Sequence, residues 1–158
     1  MIKIIDGDLL ESGANFICHQ VNCQGKMNSG VAKQIREKYP EVYEAYMFTC
    51  NKSSYLKQPL LGKINMVCVD KHKYVCNLYA QNNYGYDGKQ YTDLNALRIC
   101  LEAVLAASKS LQRQIGVDVR IALPYKIGCV RGGADWDNDV YPMIDEVFNG
   151  TIVELWRL

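Results

Sequence analysis

Residues 15–40 read NFICHQVNCQGKMNSGVAKQIREKYP, and this stretch decides the fold class. Its first part, 15–21 (NFICHQV), is apolar enough to lie in the centre of a sheet. A glycine-bearing loop follows, and the apolar residues after the loop keep helical spacing as far as Pro40. Proline ends one helix and can open the next. The stretch therefore predicts a buried strand, a loop and a helix in succession.

Strand and helix patterns continue to alternate on both sides of this stretch. Further strands are predicted at 3–5, 63–69, 73–79, 117–123 and 151–156, and further helices after Pro40, after Thr92 or Asp93 as far as Gly116, and after 135–139 as far as Gly150. The turn Asp70–Lys71–His72 predicts a β-hairpin in the middle of the chain. These elements predict an α/β fold in three layers, with a mixed central sheet covered by helices on both faces.

Length and charge limit the functional classes. The 158 residues fit a single domain spanning 1–158. The formal net charge is +1, with 18 basic and 17 acidic residues, so binding to nucleic acid driven mainly by charge is not expected. Asp6 and Asp8 interrupt the apolar N-terminus too early for a signal peptide, and no apolar run is long enough to cross a bilayer. We expect a cytoplasmic protein without a membrane partner.

The cysteines and histidines give no metal-binding pattern. Seven cysteines form no CxxC pair, and the chain has only two histidines, so we expect no metal and no cofactor. Reduced thiols suit the cytoplasm. Four of them lie in apolar segments and are expected to behave as small hydrophobic residues: Cys18, Cys68, Cys76 and Cys100.

Two glycine-bearing loops, 22–30 and 124–134, follow predicted strands and precede predicted helices. Ligands of open α/β sheets bind beyond the carboxyl ends of the strands, where glycine lets several backbone N–H groups face a phosphate. Gly25 and Gly30 have the spacing of a P-loop, but Val31 stands where that motif requires lysine. A GxGxxG motif is also absent. The residues predict a phosphate-bearing ligand held by amides, with a purely structural role for the glycines as the alternative.

Three segments in register resemble the macrodomain family, which binds ADP-ribose. They are 4–9 (IIDGDL), 21–32 with Val21–Asn22, Gly25 and the run Ser29–Ala32, and 123–132 with Leu123–Pro124 before IGCVRG. The resemblance covers nearly the whole chain. It implies a macrodomain-like three-layer fold that binds ADP-ribose or a derivative, with ADP-ribosylated protein as a further partner class.

The resemblance also implies the site residues. Asp8 would accept a hydrogen bond from the adenine amine, and Asn22 would hold the distal ribose. The amides of Gly30 and Val31 would contact one side of the diphosphate, and the second loop the other. The full set of implied ligand-binding residues is Asp8, Leu9, Asn22, Gly25, Ser29, Gly30, Val31, Gly128, Cys129, Val130, Arg131 and Gly132. The alternatives are a turn or cap for Asp8 and an Asx-turn for Asn22.

Within the family, residues 18–25 (CHQVNCQG) are similar to the ADP-ribose-1″-phosphate phosphatases. His19 and Asn22 are therefore the predicted catalytic residues. His19 would transfer a proton or orient water because an ordinary histidine pKa suits neutral pH, and Arg131 would stabilise developing charge. A core histidine is the alternative for His19. His19 and Asn22 can serve one site only if the strand ends near Val21.

Other activities stay open. The glutamate-linked ADP-ribose hydrolases use a lysine after the hairpin's second strand and an aspartate in the second loop, where this chain has 79–81 (YAQ) and Gly132. Hydrolysis of ADP-ribosyl bonds would need a route without that pair. A non-catalytic reader of ADP-ribose or of ADP-ribosylated protein is a third function. A fourth is a single-stranded RNA binder that stacks bases on Tyr84, Tyr86 and Tyr91, against which the near-neutral charge argues.

Overall fold

A computed structural model describes all residues, 1–158. Six strands form one sheet: β1 (Ile2–Asp6), β2 (Phe16–Asn22), β3 (Ile64–Asp70), β4 (Lys73–Gln81), β5 (Ile121–Pro124) and β6 (Val153–Arg157). Four α-helices accompany them: α1 (Gly30–Lys38), α2 (Pro40–Leu56), α3 (Leu94–Ile115) and α4 (Tyr141–Val147). A short 3₁₀ helix, Leu9–Glu11, follows β1, and a π-helical turn, Trp136–Val140, leads into α4.

The sheet is mixed, with strand order β1-β6-β5-β2-β4-β3. β3 runs antiparallel to β4, and the other neighbouring strands are parallel. One face of the sheet packs against α3 and α4, and the other packs against α1 and α2. The predicted α/β class, the three layers and the central hairpin are confirmed.

β2 lies in the middle of the sheet, as its continuous apolar run predicts. Its side chains alternate between the two cores, with Phe16 and Cys18 against α3 and α4 and Ile17 against α1 and α2. β5 is its parallel neighbour. The loops that leave these two strands therefore start side by side at the same edge of the sheet.

The helix ends follow local chemistry. The Asp93 side chain accepts a hydrogen bond from the Ala96 amide and caps α3, and Gly116 ends α3 in the left-handed region with φ 73°. Pro40 is the first residue of α2. None of the helices combines the length and the apolar character needed to cross a membrane.

Two sequence predictions about this part of the molecule are wrong. The strand predicted at 117–123 begins only at Ile121, because the chain after Gly116 meets the sheet at Arg120, whose carbonyl accepts from the amides of Asn15 and Phe16. Cys68 is exposed rather than part of a core, because β3 is an edge strand.

Candidate functional site

A cleft of about 340 Å³ opens at the carboxyl ends of β2 and β5. The loop after β2 and the start of α1 form one wall, and the loop after β5 forms the other. The end of β4 and residues 84–86 close one end. The cleft therefore lies where the two glycine-bearing loops predicted a ligand.

The first wall presents unpaired backbone amides. The N–H groups of Gly30, Val31 and Ala32 have no acceptor within the chain, as expected for the first turn of a helix. Ser29 is the N-cap residue, but its side chain does not cap the helix. Gly30 has φ 61°, which a residue with a side chain adopts with strain. This helix start is consequently free to bind an anion.

The second wall also presents backbone amides without an acceptor. The amides of Gly128, Val130, Arg131 and Gly132 donate to no acceptor in the chain. The Cys129 amide is different, because it donates to the Lys126 carbonyl in a turn, 3.0 Å away. The second loop thus offers four N–H groups to a ligand, and the backbone of Cys129 serves to shape the loop.

Charge in the cleft also favours an anion. Lys26, Lys126 and Arg131 line it, and no aspartate or glutamate does. The Arg131 guanidinium lies 4.6 Å from the centre of the Tyr86 ring, a cation–π contact that holds the side chain over one end of the cleft.

Asn22 lies at the cleft floor and organises the first loop. Its Oδ1 accepts from the Gln24 amide (2.9 Å) and from the Tyr46 hydroxyl (2.8 Å), and its Nδ2 donates to the Lys26 carbonyl (2.8 Å). β2 ends here, with a register shift between Val21 and Asn22. The Asx-turn is therefore present, and the ribose contact of Asn22 stays a prediction.

His19 is a core residue at the edge of the cleft. The residue is 1% exposed, and its Nε2 lies 2.6 Å from the Oδ1 atom of Asn77. Burial lowers the pKa of His19 to about 4, although the bond to Asn77 opposes this shift. The expectation that its pKa suits proton transfer at neutral pH is wrong, because a desolvated imidazole stays neutral there.

Four of the predicted ligand-binding residues do not line the cleft: Asp8, Leu9, Gly25 and Cys129. Asp8 Oδ1 accepts from the Leu10 amide at 2.9 Å and caps the 3₁₀ helix, which leaves Oδ2 free. Leu9 is buried in the core, and Gly25 lies against Met47. The cleft itself brings together His19, Asn22, Ser29, Gly30, Val31, Gly128, Val130, Arg131 and Gly132.

The positions of the hydrolase lysine and aspartate hold other residues. Gln81 lines the cleft at the end of β4. Gly132 is packed so closely that a Cβ atom would collide with the Thr92 hydroxyl and the Gly128 carbonyl. Lys89 and Asp135 are the nearest such residues in sequence. Lys89 forms an ion pair with Asp87, and the Asp135 carboxylate accepts from the Asn138 amide and caps the π-helical turn.

The tyrosine-rich loop folds over itself. The Tyr91 hydroxyl binds both carboxylate oxygens of Asp87, at 2.9 and 3.0 Å, and its ring lies against Gly85. Tyr84 and Tyr86 line the cleft, whereas Tyr91 does not. Of the three tyrosines predicted as an RNA-stacking surface, two therefore line the cleft, and the hydroxyl of the third is bound to Asp87.

Sequence reasoning gave no site role to three polar residues: Gln20 and Gln81, which line the cleft, and Thr92, which is buried behind it. Gln20 Nε2 donates to Gln81 Oε1 (2.8 Å) and to Thr92 Oγ1 (2.7 Å). Gln20 and Thr92 lie 72 residues apart in the chain. The only sequence signal was a polar Gln20 inside an otherwise apolar strand.

The sequence profile of the Macro domain family matches residues 18–141, which include the first loop, the hairpin and the second loop. This chain belongs to the Macro domain family. The match confirms the resemblance that the three glycine-bearing segments predicted. Membership also accounts for a cleft lined by amides at the carboxyl ends of β2 and β5.

Known relatives of this macrodomain carry different names. It is 27% identical over 145 residues to a DNA ADP-ribosyl glycohydrolase of Mycobacterium tuberculosis, covering 87% of this chain and 36% of that protein. It is 39% identical over 62 residues to an ADP-ribose 1''-phosphate phosphatase of Aspergillus oryzae, covering 38% of this chain and 30% of that protein. The chain thus spans well under half the length of these curated relatives.

The fold has close structural counterparts. The macrodomain of Thermus aquaticus DarG superposes with a TM-score of 0.76 over 100% of this chain and 99% of that one, at 24% sequence identity. At this identity the similarity supports the fold alone.

Proposed function

We propose that this macrodomain binds ADP-ribose in the cleft between α1 and the second loop. The observation that carries the proposal is that both walls of the cleft contain N–H groups without an acceptor, those of Gly30 to Ala32 on one wall and four among residues 128–132 on the other. A diphosphate has anionic oxygens on both sides and can accept from both walls at once. The three cations lining the cleft add attraction for the same group.

Titration calorimetry with ADP-ribose, and with adenosine, which lacks the diphosphate and the distal ribose, tests this proposal. We expect one ADP-ribose per chain and binding of adenosine weaker by about 100-fold or more, because charge-assisted bonds to several amides are lost. Equal affinity for the two ligands would contradict a site built around the diphosphate.

Asp8 is proposed to bind the adenine amine through Oδ2, since Oδ1 already accepts from the Leu10 amide. Asp8→Asn keeps an oxygen for the cap and replaces the free acceptor with a donor. We expect its Kd for ADP-ribose to rise about 10- to 100-fold with an unchanged Tm. Asp8→Ala removes the cap as well, so its Tm should fall. If Asp8→Asn bound as the wild type does, Asp8 would be only a cap.

A hydrolytic activity is proposed second: removal of the phosphate of ADP-ribose-1″-phosphate. Water attacks the phosphorus, the bond from phosphorus to the ribose oxygen breaks, and the products are ADP-ribose and inorganic phosphate. Charge developing on the phosphoryl oxygens would be stabilised by Arg131 and by unpaired amides of the second loop. The Aspergillus oryzae relative named for this reaction adds support.

Release of inorganic phosphate from that compound tests the second proposal. We expect Arg131→Gln, which keeps a planar polar group but removes the charge, to lower kcat about 10- to 100-fold while ADP-ribose still binds. No release above background, together with ADP-ribose binding, would leave a reader of ADP-ribose or of ADP-ribosylated protein.

We also propose that the protein is located in the cytoplasm, and its seven free thiols support this proposal.

A further inference from the structure

Three side chains from distant parts of the sequence form a chain of hydrogen bonds beneath the second loop. Thr92 Oγ1 lies 2.7 Å from the Gly128 carbonyl oxygen and 2.7 Å from Gln20 Nε2. A hydroxyl has one hydrogen, and Gly128 can only accept it, so Thr92 accepts from Gln20. Gln20 Nε2 also donates to Gln81 Oε1 at the end of β4. The direction of every bond in this chain is therefore determined.

This direction leaves one atom without a partner. Gln20 Oε1 is buried beside Gly128 and accepts no hydrogen bond. Turning the amide over would satisfy neither Thr92 nor Gln81, because both need a donor from Gln20. A buried acceptor without a hydrogen bond is unfavourable. The Gln20 amide keeps this orientation because it donates to both Thr92 and Gln81.

Thr92 also holds the far end of the second loop. The Gly132 carbonyl accepts from the amides of Tyr91 (2.7 Å) and Thr92 (3.0 Å), while the Gly128 carbonyl accepts from the Thr92 hydroxyl and from the Ala134 amide (3.1 Å). Both carbonyls thus face away from the cleft, toward Thr92. The unpaired amides of Val130 and Arg131 lie between these two attachments.

We propose that Thr92 is a positioning residue for ligand binding: its hydroxyl, oriented by Gln20, fixes the second loop so that the loop's free amides face the ligand's diphosphate and distal ribose. This inference rests on the proposed binding of ADP-ribose. Thr92 is 4% exposed and does not line the cleft, so it acts through Gly128 rather than by contact with the ligand. The closeness of its hydroxyl to Gly132 also explains why a side chain is excluded at that position.

The test compares Thr92→Val, which replaces the hydroxyl with a methyl group of similar size, with Thr92→Ser, which keeps the hydroxyl. Titrations use ADP-ribose and AMP, since AMP lacks the groups that the second loop is proposed to hold. We expect Thr92→Val to weaken ADP-ribose binding about tenfold or more, while AMP affinity changes less than about twofold. Thr92→Ser should restore ADP-ribose affinity to within about threefold of the wild type.

Other results would overturn the inference. If folded Thr92→Val binds ADP-ribose as the wild type does, or loses ADP-ribose and AMP affinity equally, Thr92 does not position the second loop. Should Thr92→Val fail to fold, Gln20→Met removes the other end of the bond, and wild-type ADP-ribose affinity in that variant would overturn the proposal. The unmodified protein serves as the reference, because a wild type that does not bind ADP-ribose contradicts the proposed function itself.

Discussion

Gly132→Asp is expected to lower the free energy of unfolding by about 3 kcal/mol or more and to abolish ADP-ribose binding. The substitution installs the aspartate that the sequence resemblance associates with hydrolase macrodomains. A Cβ atom at this position would collide with the Thr92 hydroxyl and the Gly128 carbonyl, and neither can move without releasing the second loop. Urea denaturation and ADP-ribose titration measure the two effects.

Two further variants separate crowding from charge. Gly132→Ala adds only the colliding Cβ atom, so it should already account for most of the loss of stability. Gly13→Asp is the matched control, because its Cβ meets only the flexible end of the Arg120 side chain, at 3.1 Å. If Gly132→Ala were as stable as the wild type, the close packing around Gly132 would not be the reason that position 132 excludes a side chain.

Installing the lysine and the aspartate together, as Gln81→Lys and Gly132→Asp, should not produce an ADP-ribosyl hydrolase, because the second loop is displaced before the aspartate can act. An assay of ADP-ribose release from an ADP-ribosylated peptide checks this. Measurable release by the double variant would mean that the loop accommodates the aspartate.

The α/β class was predictable because it depends on local patterns. β2 was recognised from its continuous apolar run, and α3 from its helical spacing between Asp93 and Gly116. The two glycine-bearing loops were recognised because their glycines follow predicted strands. The structure places these strands, β2 and β5, side by side in the sheet. The strand at 117–123 was overestimated because residues 117–119 keep the alternating pattern without reaching a partner strand.

The chemistry of individual side chains was less predictable, because it depends on partners far away in the sequence. His19 owes its low pKa to burial beneath α2, and its partner Asn77 is 58 residues away. Asn22 looked like a ligand contact, yet Tyr46 from α2 and the loop backbone already use its amide. Local sequence patterns give no information about such contacts, whereas they do give the positions of free backbone amides.

Lowering the pH is expected to destabilise this protein through His19. Asn77 Nδ2 donates to the Val42 carbonyl (3.3 Å) and to Asn65 Oδ1 (3.2 Å), so Asn77 Oδ1 is the acceptor and His19 Nε2 carries the proton. The second ring nitrogen, Nδ1, is buried and has no partner. Burial is the cause of the low pKa, because protonation would place a desolvated charge in the core, where Nδ1 has no acceptor to compensate it.

The sign of the effect follows from the two states. In the unfolded chain His19 has an ordinary pKa near 6.5, whereas in the folded protein it is about 4. As the pH falls, the unfolded state therefore binds the proton before the folded state does. Proton binding stabilises the unfolded state relative to the folded state by an amount that grows from pH 6.5 down to pH 4. The loss of folding free energy from this residue should be about 2 kcal/mol at pH 5 and about 3 kcal/mol at pH 4.

His19→Gln isolates this contribution, because glutamine can still donate to Asn77 but does not titrate. Urea denaturation measures the free energy of unfolding at pH 7 and at pH 5. The fall in this free energy between the two pH values should be about 2 kcal/mol smaller for His19→Gln than for the wild type, since the other groups are common to both proteins. His72→Asn is the control for removal of a histidine, because His72 is exposed in the β3–β4 turn with φ 52°, which asparagine tolerates. A difference found in His19→Gln but not in His72→Asn is then assigned to the buried ring. Equal losses in His19→Gln and the wild type would mean that His19 is protonated in the folded core, and a proton-transfer role for it would again deserve a test.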